Sequence, residues 1–273
     1  MPIRYFYLIK IQYLGYRLHG WQQQPGLKTV ELMLRRTLKY VLEDRRFKML
    51  GSGRTDAMVS ATSAAFELFL YEQPLEDPQD FLKVFNQNLP QDIRALEIEE
   101  VDQHFNVIKD AKMKQYAYLF AFGQKNHPFC APFLMSFQED LDIDLMKAGA
   151  RLFEGEHNFK YFCTKPNQHT QVVRKVSKCE IRENDLISAS FFPQKSYALH
   201  VHGEGFLRNQ VRIMMGTLVL VGKGELSLED LQASLEINNP QPPTPMTFVA
   251  PGSGLVLKDI AFEKELLPSQ SLL

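Results

Sequence analysis

The sequence has few cysteines, one tryptophan and almost no net charge. Each shortage closes off a class of protein. Its 3 cysteines, Cys130, Cys163 and Cys179, are odd in number and fit no zinc-ligand spacing. Neither a disulfide framework nor a structural zinc site is therefore expected. Free thiols in a reducing cytoplasm account for them. No apolar run approaches the roughly 20 residues needed to span a bilayer. The nearest, Ile213 to Val221, is far too short. Met1 to Tyr13 alternates polar and apolar residues and lacks the basic-then-apolar order of a signal peptide. Disorder is equally unsupported, since 45% of the 273 residues are hydrophobic and 23% charged. That length makes one large domain or two ordinary ones.

A net charge of −1 at first argues against a nucleic-acid partner. The distribution says more. Basic residues gather at Arg35, Arg36, Lys39, Arg45, Arg46, Lys48 and Arg54. They gather again at Lys109, Lys112 and Lys114, and at Lys165, Arg174, Lys175 and Lys178. Acidic residues have their own stretches, Glu97 to Asp102 and Glu139 to Asp144. A near-neutral protein with charge sorted in this way can present a basic groove, although solvated faces sort charge too.

Periodicity gives the elements. Residues 4 to 13 alternate and read as a strand. Val30, Met33, Leu34, Thr37, Leu38, Val41 and Leu42 form one face of an amphipathic helix. Strands are expected at Phe47–Leu50, Ala61–Leu70, Arg94–Val101 and Lys114–Phe122, with a helix over Pro78–Asn88 that stops before Pro90. The second half, from about Phe105, repeats the mixture. Helices are expected at Asp142–Phe153, Phe206–Val221 and Leu228–Ile237, and strands at 171–183, 196–203 and Leu255–Phe262. Asn238–Met246 is proline-rich loop. The fold class is α+β: two similar halves, residues 1–104 and 105–273, each a mainly antiparallel sheet flanked by helices.

Four features could carry chemistry. Gly51-Ser52-Gly53-Arg54-Thr55-Asp56 joins two strands but lacks the Gly-Lys-Ser/Thr ending of a phosphate loop. It is either a tight turn in which Asp56 bonds its own backbone, or a close-approach loop offering a carboxylate. In the apolar helix Phe206–Val221, Arg208 and Arg212 are the only charges, four residues apart. A guanidinium buried there needs an anionic partner; otherwise the arginines reach solvent along their stems. Tyr116 and Tyr118 share a strand face beside Lys114, which suits base stacking as well as core packing. His200 and His202 also share a face, without a third metal ligand nearby in sequence, and read as structural or surface. Gly222-Lys223-Gly224 reads as a helix stop.

Taken in order, these segments resemble the bacterial tRNA pseudouridine synthase A family over nearly the whole chain. The opening block is Tyr13-Leu14-Gly15, then His19-Gly20-Trp21-Gln22-Gln23-Gln24 and Thr29-Val30. Gly53-Arg54-Thr55-Asp56-Ala57 is similar to the signature loop. Asn88-Leu89-Pro90, the Lys114, Tyr116 and Tyr118 triplet, Gly155, His157 and Phe159, and Phe162-Cys163 follow. Gly205-Phe206-Leu207, Val211-Arg212, Gly216, Leu218 and Val221-Gly222 form the helical block, and Ala250-Pro251 with Gly254-Leu255 and Leu257 closes the series.

The resemblance implies a homodimer that isomerises uridine to pseudouridine in the tRNA anticodon stem-loop, at positions thirty-eight to forty, without metal, nucleotide or redox cofactor. It implies the site residues as well. Asp56 is the essential carboxylate, and Arg212 pairs with it and keeps it ionised. Tyr116 stacks on the target base. Arg54 fills the space left by the flipped nucleotide, and Leu255 lines the uracil pocket. The two halves are expected to meet around a basic cleft holding Asp56. Met58 and Ser60 depart from the Gly and His usual after the aspartate, and Asn106-Val107-Ile108 departs from His-Ala-Arg. These changes spare the three catalytic positions and bear on RNA contacts. They keep open a synthase with another RNA target, beside an RNA-binding or RNA-folding protein without catalysis.

Overall fold

The computed structural model describes residues 4–236 and 248–262. In chain order its elements are β1 (Arg4–Tyr13), α1 (Val30–Val41), β2 (Phe47–Gly51), β3 (Ser60–Tyr71), α2 (Pro78–Asn88), β4 (Ile93–Glu100), β5 (Ala111–Phe122) and β6 (Met135–Phe137). They continue with α3 (Ile143–Leu152), β7 (Gly155–Asn158), β8 (Val173–Glu183), β9 (Tyr197–Gly203), α4 (Gln210–Gly222), α5 (Leu228–Leu235) and β10 (Leu255–Phe262). The chain divides into two compact units, Met1–Lys112 with Leu257–Leu273, and Met113–Val256. The proline-rich stretch Asn238–Met246 lies outside the described residues.

In the first unit β1 lies between β3 and β4, antiparallel to both. β3 has β10 and the short antiparallel β2 as its other neighbours. Alternation along β1 turns Tyr7, Ile9, Ile11 and Tyr13 to one face, all of them buried. The apolar stripes of α1 (Val30, Leu34, Leu38) and α2 (Phe81, Phe85) are buried as well. Both helices start on side-chain caps. Thr29 accepts the Leu32 N–H, and Asp77 accepts those of Gln79 and Asp80 just before Pro78. α2 ends as expected, with Leu89 already extended before Pro90.

On the opposite face Leu8 and Ala65 pack with Val101, Phe105 and Val107. Glu67 points into this layer and is fully buried. Its carboxylate accepts the Val107 N–H at 3.1 Å. Burial pushes its pKa up, and the nearby Asp110 adds to that, while the Val107 bond and Lys48 pull it down.

In the second unit the strand order is β5-β9-β8-β7, antiparallel throughout, with β6 added parallel to β5. Helix α4 is buried nearly all round, as its composition requires. It starts at Gln210, four residues later than the periodicity suggests. Asn209 adopts φ 62°, which breaks the helical run, and the Gln210 side chain bonds back to the Leu207 N–H at 2.8 Å. Arg208 therefore precedes the helix and is exposed, so it does not share a helix face with Arg212. The far end follows expectation. Lys223 caps the helix and Gly224 takes φ 71° just beyond it. Strands β6 and β7, of 3 and 4 residues, are too short for sequence periodicity to register.

Candidate active site

In the first unit the candidate residues Arg54 and Asp56 lie in the 52–59 loop. β2 delivers the chain to it, and the buried Ser52 donates its N–H to Ala65 at 3.0 Å. The Thr55 hydroxyl meets Tyr13 Oη at 2.9 Å, and the Thr55 carbonyl accepts the Trp21 N–H at 3.0 Å. Gly20 packs against the loop at φ 84°. A Cβ there would lie 2.6 Å from the Thr55 carbonyl oxygen and 3.0 Å from the Asp56 carbonyl carbon. Only glycine allows that approach, which explains a His-Gly-Trp sequence next to an acidic loop. Trp21 in turn lies over Gly51, whose Cβ would fall 2.5 Å from the indole.

Asp56 opens a turn closed by the Val59 N–H to its carbonyl at 3.3 Å, with Met58 at φ 67°. A positive φ at the third residue of such a turn is a glycine position. Met58 thus holds a strained backbone that glycine would relieve. Ser60 is the acceptor for the Gly15 N–H at 2.9 Å, so both departures occupy structural positions in the loop. Asp56 is half-buried and Arg54 is exposed.

In the second unit the candidate residues Tyr116, Arg212 and Leu255 lie on β5, at the start of α4 and at the end of the 250–255 segment. Alternation puts Tyr116 and Tyr118 on one face of β5, yet their environments differ. Tyr118 is fully buried and donates its hydroxyl to the Pro251 carbonyl at 2.8 Å. Burial raises its pKa far above the ordinary value, a shift that the charge of Arg212 partly opposes. It is a structural phenol. Tyr116, nearer the strand's start, is partly exposed and meets Phe206 edge-on, with ring centroids 5.3 Å apart and planes at 89°.

Arg212 sits on the first turn of α4, half-buried. Its Nε donates to the Ala250 carbonyl at 2.7 Å and its Nη1 to Asn209 Oδ1 at 3.0 Å. The Ala250 N–H returns to the Arg212 carbonyl at 3.1 Å. Asn209 is itself tied down, with Nδ2 donating to Thr164 Oγ1 at 2.9 Å. The following segment threads past Tyr118. A Cβ on Gly254 would meet that ring at 2.7 Å, and Leu255 then enters β10 buried. Arg212, Tyr118 and Leu255 are thus ordered by one short stretch of backbone, while Arg54 and Asp56 belong to the first unit.

Sequence reasoning gave Asn209 no mention, and quoted Phe206, Ala250 and Pro251 only as parts of longer blocks without a role in the site. Asparagine at a helix start was the one available signal, since it tolerates the left-handed region. His200 is buried on β9 and His202 half-buried. Among the described residues no three His, Cys, Asp or Glu side chains cluster so as to hold a metal ion. No described helix is long and apolar enough to cross a membrane. Cys130 and Cys179 are buried and Cys163 partly exposed, all as free thiols.

A family model described as tRNA pseudouridine synthase matches residues 9–108 and 150–263. Those stretches contain Arg54, Asp56, Arg212 and Leu255, while Tyr116 falls between them. Among similar curated proteins, a tRNA pseudouridine synthase A of Dictyoglomus thermophilum is 32% identical over 254 residues, covering 93% of this chain and 98% of that protein. One from Thermosipho melanesiensis is 32% identical over 260 residues, covering 94% and 99%. A third, from a Geobacillus strain, is 31% identical over 234 residues, covering 85% and 89%.

Proposed function

The chain belongs to the tRNA pseudouridine synthase family, and from that premise we propose that it isomerises uridine to pseudouridine in tRNA with Asp56 as the catalytic carboxylate. The observation that carries the assignment is the built character of the Asp56 loop. Tyr13 holds the Thr55 side chain and Gly20 and Trp21 hold the loop backbone, while the aspartate stays half-exposed.

The target uridine leaves its stack, which costs least in a loop, and enters the site. Asp56 acts on the ribose, either by attack at the anomeric carbon or by taking a neighbouring ribose proton. The bond from the anomeric carbon to N1 breaks. The uracil turns within the site, and C5 bonds to the anomeric carbon in place of N1, as the Asp56 oxygen leaves that carbon on the first route or as Asp56 returns the ribose proton on the second. C5 then loses its proton and N1 gains one, so atoms balance and mass is unchanged. In this reading Arg212 is the cation that serves the Asp56 carboxylate. Tyr116 stacks on the base and helps remove the C5 proton. Arg54 occupies the gap in the RNA stack, and Leu255 supplies an apolar wall that keeps water from the detached base.

The target lies in the anticodon stem-loop, at positions thirty-eight to forty. The enzyme acts as a homodimer in the cytoplasm, where its free thiols persist, and needs no cofactor. The test is tritium release from an unmodified tRNA transcript labelled at C5 of uracil, with EDTA present. Isomerisation must expel that label. No release from folded protein that binds the transcript would reject this tRNA as substrate, and a wider RNA panel would then separate a synthase with another target from a silent RNA-binding protein. Release from positions elsewhere in the tRNA would reject only the stem-loop assignment.

A further inference from the structure

The basic stretch between α1 and β3 is left unexplained by the catalytic reading, and the structure sorts its members. Arg35 is committed to Glu31 and to the Met49 carbonyl. Arg45 is committed to the carbonyls of Gln73 and Pro74. Arg46 and Lys48 are exposed and lie over aromatic rings. The Arg46 guanidinium is 4.9 Å from the centre of the Tyr71 ring, and Lys48 Nζ is 5.5 Å from that of Phe69. Arg4, from the far side of β3, lies 5.5 Å from the same Tyr71 ring.

Strand register explains this assembly. Arg4 stands opposite Tyr71, and Phe6 opposite Phe69 from β1, while Lys48 faces Phe69 from β2. Alternation places all of them on the sheet face opposite Tyr7, Ile9 and Ile11. Phe6 and Phe69 meet edge-on at 5.5 Å. Three cations thus stand over a floor of three half-buried rings.

We propose that this face, formed by Arg4, Phe6, Arg46, Lys48, Phe69 and Tyr71, is a second RNA-binding surface that holds tRNA backbone away from the target uridine. The proposal rests on the reading of the chain as a tRNA-modifying enzyme, and three arguments favour RNA. The rings already carry cations, so the outermost groups are guanidinium planes and an ammonium, which pair with phosphates and stack on bases. Negative charge on the same sheet face lies mostly away from the rings. Glu97 pairs with Lys10, Glu99 stands opposite Leu8, and Glu67, close enough to feel the charge of Lys48, is buried with its pKa pushed up. The adjoining groove, about 470 Å3, is lined by Glu43, Asp44 and Glu72 as well as Arg45 and Arg46, so the ring-floored face, not the groove, suits phosphate. Position fits too. The face lies at the Tyr71 end of β3, whereas the Asp56 loop joins its Ser60 end. The strand has 12 residues, so at about 3.3 Å each its two ends lie roughly 36 Å apart, with Lys48 and Phe69 somewhat nearer the loop than Tyr71. A whole tRNA extends well beyond its anticodon arm, and this face would meet the remainder.

The experiment compares wild type with the triple variant Arg4→Gln, Arg46→Gln, Lys48→Gln, using a whole tRNA transcript and a hairpin limited to the anticodon arm. Binding is measured across a salt series, turnover by tritium release and oligomeric state by light scattering. The triple variant should bind whole tRNA at least tenfold more weakly. Its log–log salt slope should be shallower by about 2, since each lost phosphate contact removes about 0.7–0.9. Hairpin binding and turnover should stay within twofold of wild type. The single variant Arg46→Lys, which keeps the charge, should retain most of the slope and controls for misfolding. Unchanged whole-tRNA affinity and slope in the triple variant would overturn the proposal. A changed oligomeric state with unchanged tRNA affinity would also overturn it, and would make the face a contact between copies. Failure of the enzyme reading looks different: wild type then turns over neither RNA, whatever the variant's affinity.

Discussion

Asn209 should be a positioning residue for Arg212, and three variants separate its contributions. Its backbone holds φ 62°, its Oδ1 accepts from Arg212 Nη1 at 3.0 Å, and its Nδ2 donates to Thr164 at 2.9 Å. Asn209→Gly keeps the backbone freedom and removes both bonds. The bond to the charged guanidinium is worth about 1.5–3 kcal/mol, and the neutral bond to Thr164 about 1 kcal/mol. Asn209→Ala loses the same bonds and places a Cβ in the left-handed region, a further cost of about 1 kcal/mol. Asn209→Asp keeps the acceptor for Arg212 but loses the donor to Thr164. Urea unfolding should therefore rank stability as wild type, Asp, Gly, Ala, with Gly above Ala by about 1 kcal/mol. Single-turnover tritium release should not follow that ranking. Gly and Ala should lose turnover together, by roughly tenfold for each 1.4 kcal/mol of lost positioning, while Asp should retain more. Turnover equal to wild type in folded Asn209→Gly would refute the idea that this side chain sets Arg212 for the reaction.

Other residues give sharper tests of the fold. Between the ordinary carboxylate pKa and its raised value, Glu67 holds a proton in the folded protein that the unfolded chain releases. Stability should thus fall as pH rises through that window. Glu67→Gln should flatten this slope, stabilising the protein at pH 7 and leaving it little changed below the carboxylate range. A wild-type slope in that variant, read by urea midpoints, would contradict the assignment. Met58→Gly should remove strain at φ 67° and Met58→Val should add it, separating the two by about 1–2 kcal/mol in unfolding. Equal midpoints would show that the turn is unstrained. Tyr118→Phe deletes the hydroxyl bond to Pro251 and should cost about 0.5–1.5 kcal/mol. Its turnover should fall less than that of Tyr116→Phe, and the reverse order would exchange the roles of the two tyrosines.

Much of this was legible in the sequence where local chemistry decides. Thr29, Asp77 and Asp142 cap helices close to where the periodicity begins, and Pro90 follows the end of α2. Strands β1 and β10 have the expected limits. The start of α4 was not legible, because a left-handed Asn209 inside an apolar run leaves the hydrophobic pattern intact. Arg208 and Arg212 consequently looked like a helical pair, although one is exposed and precedes the helix. Alternation fixed which face Tyr116 and Tyr118 share but not their depth, which depends on the distant Pro251 and Gly254. For the positive φ at Met58 the one signal was the glycine usual there in the resembled family, since methionine itself carries no turn signal.

The most direct test of the account compares Asp56→Asn with wild type in two assays on one unmodified tRNA transcript, equilibrium binding and C5 tritium release. The substitution keeps size and removes charge, so affinity should stay within a few fold while release disappears. Release at the wild-type rate from Asp56→Asn would contradict the assignment of Asp56 as the catalytic carboxylate.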